Sequence, residues 1–213
     1  MRKRMLYLWG IVGLSIIVGL TWNVTARAGY ESAQYEVVEK DSNIEIRQYP
    51  DLMLASTESN SEAPGRDGSF MRLFGYISGA NESDQKIEMT TPVFMEKGDE
   101  KSNSKMGFVI PQDVATAGAP KPKGAEVSIR KREGGRFAVI RFSGRMNTDL
   151  VKNQEAKLRS WLESRGLEGE ESAETAGYDP PFTPGPLRRN EVIIRLIAAD
   201  TLPTSATTTE STN

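Results

Sequence analysis

Apolar and polar positions alternate from Tyr35 to Arg47, YEVVEKDSNIEIR, around the turn-forming Asp41-Ser42-Asn43, and the extended character resumes from Leu52 to Thr57 after the Tyr49-Pro50 break. These segments read as paired strands. The period then changes. Phe70, Leu73, Phe74 and Ile77 fall at i, i+3, i+4 and i+7, one apolar stripe of a helix over Ser69 to Ser78 that Gly79 can cap. Ile87 to Glu96 and Met106 to Ile110 follow as two more strands, and Ala115 to Gly124, ATAGAPKPKG, reads as a loop without a regular element.

The same order then recurs. Val127 to Arg132 and Arg136 to Phe142 flank Glu133-Gly134-Gly135, which predicts a hairpin with glycine turn chemistry. Asp149 to Arg165 places Leu150 or Val151, Leu158, Trp161 and Leu162 on one helical face, stopped by Gly166, and Ala173 to Tyr178 and Glu191 to Ala198 supply two closing strands. The chain thus predicts an α+β domain of two pseudo-repeated β-β-α-β-β halves with two main helices. They would join in one antiparallel sheet, curved or closed as a barrel, with both helices packed against it. The repeat is one of pattern, since the halves share negligible identity.

The two ends stand apart from this pattern. Met1 to Arg4, MRKR, precedes an apolar run from Met5 to Trp22 and then Ala26-Arg27-Ala28. A basic region, an apolar region and a small-x-small site make a secretory signal, with cleavage expected after Ala28; left uncleaved, the same run is a signal anchor that attaches the domain to the membrane. Either outcome exports the domain, to the periplasm or to the periplasmic face of the inner membrane. Residues 30–200 form the expected domain, and Pro203 to Asn213, PTSATTTESTN, has no apolar face and reads as a disordered tail.

Composition narrows the chemistry. The 213 residues carry a formal charge of -2, which offers no concentrated basic surface for nucleic acid. Zero cysteines exclude disulfides, thiolate nucleophiles and iron–sulfur clusters; zero histidines exclude Ser-His-Asp triads, HExxH zinc sites and the commonest haem axial ligand. Carboxylate, lysine, tyrosine and methionine chemistry remain, as does binding without catalysis, and the expectation is a protein that is not an enzyme. The acidic stretch Glu168 to Glu174 lacks the alternating ligands and fixed glycine of a calcium loop and reads as solvated. Asn81-Glu82-Ser83 fits the glycosylation sequon.

Several short segments exceed generic strand chemistry: YISGAN at 76–81, KIEMTTPV at 86–93, RFSG at 141–144, YDPPF at 178–182 and RRNEV at 188–192. By bare physics the double proline is a rigid turn and RRNEV opens a strand with a charge cluster. Their content and order resemble the SOUL haem-binding protein family over about Tyr30 to Leu196. The resemblance implies a distorted antiparallel β-barrel of two pseudo-repeated halves, and haem or another tetrapyrrole bound in an apolar groove beside the first helix, with basic groups at its rim.

On this sequence the resemblance points to Phe70, Phe74 and Ile77 as groove-facing residues and to Arg66 and Arg72 as partners for propionates. Guanidinium forks match carboxylates two-pronged, whereas rings at helical spacing more often fill a core and arginines more often solvate a face. Without histidine, Met71, Met89 and Tyr76 are the candidate iron donors, and ring burial with weak or no iron coordination is the expectation. Two other classes stay open: a small-molecule enzyme with a carboxylate such as Glu88 on the sheet as general base, and an interaction module whose groove takes a partner's apolar helix.

Overall fold

The computed structural model describes residues 30–60, 67–98, 103–180 and 182–197. The expected leader (1–28), the tail (203–213) and Arg66 lie outside the described residues. The chain opens with a short strand, β1 (Glu31–Ser32), followed by β2 (Glu36–Asp41), β3 (Ile44–Tyr49) and β4 (Leu52–Ser59). Helix α1 (Ser69–Ile77) leads to β5 (Thr90–Thr91), β6 (Val93–Glu96), β7 (Ser104–Val109) and the short helix α2 (Gln112–Ala117). Then come β8 (Ser128–Arg132), β9 (Gly135–Phe142), helix α3 (Thr148–Ser164), β10 (Glu174–Gly177) and β11 (Asn190–Arg195).

Nine of these strands form one antiparallel sheet in the order β2-β3-β9-β11-β10-β6-β7-β4-β8, while β1 pairs with β5 in parallel. Outward from the central β10–β6 pair, β11 answers β7, β9 answers β4 and β3 answers β8. The pseudo-repeat seen in the sequence is therefore real in space. It corrects two expectations, however. β3 does not pair with β4, nor β8 with β9: each half lends a strand to the other, β3 to β9 and β8 to β4.

The reason lies where the two corners meet. A Cβ on Gly134 would stand 2.6 Å from the Pro50 carbonyl carbon and the Tyr49 oxygen, and the Gly134 N–H bonds the Asp51 carboxylate at 2.8 Å. Glycine here serves a close crossing of two backbones and not a hairpin turn. The expected closure into a barrel is also corrected. β2 and β8 end the ladder, each paired on one side, and β2 carries Glu36, Glu39, Lys40 and Asp41, charges of the kind that discourage further strand pairing.

Strand alternation sorts the core into layers. The inner face of the curved sheet gathers Tyr49, Leu54, Phe94, Phe137, Val139 and Ile193. On the outer face, Leu158 and Leu162 of α3 cover Ala138, Ile140 and Val192, while Leu73, Tyr76 and Ile77 of α1 cover Ala55, Met106 and Phe108. Two local expectations change. Within the stretch 87–96 only β5 and β6 are strand, parted at Pro92, which has no N–H for a ladder. The first residues of the expected loop at 115–124 belong to α2, where the Thr116 hydroxyl bonds the Gln112 carbonyl at 2.7 Å and the prolines begin only at Pro120.

Candidate ligand-binding face and buried charge network

Helix α1 is apolar on more than one side. Ser69, Leu73, Tyr76 and Ile77 are buried against β4 and β7, as the stripe at i, i+4, i+7 and i+8 dictates. Met71 and Phe74 lie on the other side, 62% and 44% exposed. Fully burying such side chains stabilises a structure by about 1.5–3 kcal/mol each, so their exposure marks a face fit for covering. Phe70 joins the two sides: half-buried, it stacks on Phe74 with ring centroids 6.2 Å apart and meets Phe108 edge-on at 5.2 Å. Gly75, one turn beyond Met71, has nothing within 4 Å of where a Cβ would stand, which leaves open space over the helix backbone.

The expected site residues divide on this geometry. Phe70 and Phe74 stand together on the outward side. Ile77 is 6% exposed and belongs to the core, turned away from that face. Arg72 donates to Thr57 Oγ1 at 3.0 Å, to the Asp67 carbonyl at 3.2 Å and to the Glu58 carbonyl at 2.7 Å. It ties the start of α1 to the end of β4, so its fork is engaged within the fold and not held out for propionates.

The motifs after α1 prove to be local scaffolding. Asn81 is fully buried. Its amide donates to the carbonyls of Tyr76 and Gln85 at 3.1 and 2.7 Å, and its oxygen accepts from the N–H groups of Ser83 and Gln85 at 3.2 and 3.0 Å. Those bonds keep the sequon asparagine inside the turn. Gly144 of RFSG adopts φ 117°, a left-handed conformation suited to glycine, and its carbonyl accepts from the Asn190 side chain at 2.9 Å.

The inner face holds what sequence reasoning missed. Glu191, 0% exposed, receives Arg47 two-pronged at 2.8 and 3.0 Å, the Tyr178 hydroxyl at 2.9 Å and Arg189 at 2.7 and 3.0 Å. Arg47 also reaches Glu45 at 2.8 Å and the Tyr49 hydroxyl at 3.0 Å, and Arg189 lies over the Tyr178 ring at 3.9 Å. Burial alone would raise the Glu191 pKa, but the hydrogen bonds and charges of Arg47 and Arg189 outweigh it and hold the carboxyl below its ordinary value. Burial pushes the Tyr49 hydroxyl up to about 12.

A second buried cation, Arg132, sits 4.3 Å from the Phe137 ring centroid and 4.6 Å from that of Phe94, and bonds Glu174 at 2.7 and 3.0 Å. Glu174, read in the sequence as part of a solvated acidic loop, thus turns inward. The available signal was the charge of RRNEV at the mouth of an otherwise apolar strand. Glu88, the carboxylate proposed for the sheet, lies exposed in the segment before β5.

Residues 30–195 match the family model of the SOUL heme-binding protein, nearly the whole described span. The chain belongs to this family. Heme-binding protein 1 of Bos taurus is 31% identical over 126 residues, which cover 57% of this chain and 65% of that protein's length. Heme-binding protein 1 of Xenopus tropicalis is 30% identical over 176 residues, covering 77% of this chain and 91% of its own length. Among solved structures, a hydrolase from Listeria innocua superposes with a TM-score of 0.54 at 10% identity, over 75% of this chain and 94% of that one. That likeness is one of fold.

Proposed function

We propose that this SOUL-family domain binds haem or a related tetrapyrrole on the outward face of α1, as an exported protein that buffers, carries or sequesters the ring. The single observation that carries the reading is the pair Met71 and Phe74, left in water beside the half-buried Phe70 and the open space at Gly75. Exposed apolar and aromatic surface of this kind suits a porphyrin face, and the family's relatives are named for haem. The residues fit the ring in kind: stacked phenylalanines for its face and a thioether within the same patch. When bound, haem supplies a redox-active iron and two propionates.

The inner network does not favour an enzyme reading. A general base needs a carboxylate free to take a proton, and the Glu191 carboxylate is shared by Arg47, Arg189 and Tyr178. Export rests on the basic and apolar leader with its Ala26-Arg27-Ala28 site. The test is an equilibrium titration of the full chain with haemin, followed in the Soret region. Saturable binding is expected, and Phe74→Asp abolishes it while the protein stays folded, since Phe74 lies outside the core. Equal binding by that variant would move the site elsewhere.

A further inference from the structure

We propose that Met71 gives its thioether sulfur to the iron of a bound haem; this rests on the tetrapyrrole reading above and adds to it the ligand that the ring's metal receives. Protein ligands to haem iron are most often histidine, cysteine, methionine or tyrosine, and this chain has neither histidine nor cysteine. In α1 and the segment that leads from it to β5, the donors are Met71, Tyr76 and Met89.

Two of the three are engaged in the fold. Tyr76 is 1% exposed and donates its hydroxyl to the Pro120 carbonyl at 2.9 Å. Met89 is packed against the cluster under α1. Met71 alone of these stands out in solvent, three residues before Phe74 and four before Gly75, and so on the same side of the helix as the exposed ring and the open space. Methionine usually fills irregular gaps in a core, but a side chain 62% exposed fills none. A soft sulfur donor on an apolar face beside aromatic rings has the chemistry that iron in a buried porphyrin accepts, and it raises the iron's reduction potential.

The experiment uses the full chain, haemin and metal-free protoporphyrin, with Met71→Leu as the volume-conserving variant and Met71→His as a replacement donor. The wild type is expected to bind haemin about tenfold more tightly than protoporphyrin and to show a far-red sulfur-to-iron charge-transfer band. Met71→Leu loses the band and brings the haemin and protoporphyrin affinities level with each other, and Met71→His gives an imidazole-ligated spectrum. If both rings bind the wild type and Met71→Leu equally and the Met71→His spectrum is unchanged, sulfur ligation is overturned and ring binding stands. If neither ring binds the wild type, the tetrapyrrole reading falls, and this inference with it.

Discussion

Arg47 and Glu191, 144 positions apart in the chain, meet in a two-pronged ion pair at 2.8 and 3.0 Å with both side chains at 1% exposure or less. β9 separates their strands in the sheet, and the pair thus links the strand lent by the first half to the closing strand of the second. Charges buried this way contribute little net stability while intact, and losing one partner is costly because the other is left uncompensated.

Glu191→Gln should therefore lower the unfolding free energy by about 3–5 kcal/mol, measured by chemical denaturation at neutral pH. The pH dependence has a definite sign. A carboxyl held below its ordinary value of 4.5 in the folded state contributes stability that is fully present above that value and is lost as pH falls through the folded one. Wild-type stability should begin to fall as pH drops below about 5 and go on falling as the solution becomes more acid, and Glu191→Gln should flatten that fall.

Two glycine substitutions should act in opposite directions. Gly134→Ala forces a methyl to within 2.6 Å of the backbone at Tyr49 and Pro50 and should cost about 1–3 kcal/mol, whereas Gly75→Ala meets open space inside a helix and should stabilise by about 0.5–1 kcal/mol. Thermal unfolding of the pair checks both. Equal effects would mean that the two corners do not cross as described.

Asn81→Ala removes a side chain that satisfies four backbone groups in the turn after α1. The orphaned groups should lower stability by at least about 2 kcal/mol, and hydrogen exchange should rise selectively at Ser83 and Gln85.

The pattern of strands and helices, and the two-half repeat, could be read from the sequence because each element carries its own periodicity. Strand exchange could not. Glu133-Gly134-Gly135 has the composition of a hairpin turn, and only the backbone of Pro50, more than eighty residues away, turns it into a crossing. Phe74 and Ile77 sat on one expected stripe, yet the helix buries Ile77 and leaves Phe74 out, because the stripe's centre falls at Leu73 and Tyr76. Arg72 has the charge of a rim cation, but Thr57 and Glu58 of β4 engage it, and Glu191 has the charge of a strand edge, but two arginines and a tyrosine converge on it inside the fold.

The most direct test of where this protein binds its ligand is backbone amide chemical-shift mapping of the full chain with metal-free protoporphyrin, which is diamagnetic. The largest shifts are expected at Phe70, Met71, Phe74 and Gly75, with Tyr178 and Glu191 unmoved. Shifts centred on the inner network, with α1 silent, would contradict the assignment of the ligand to that helix.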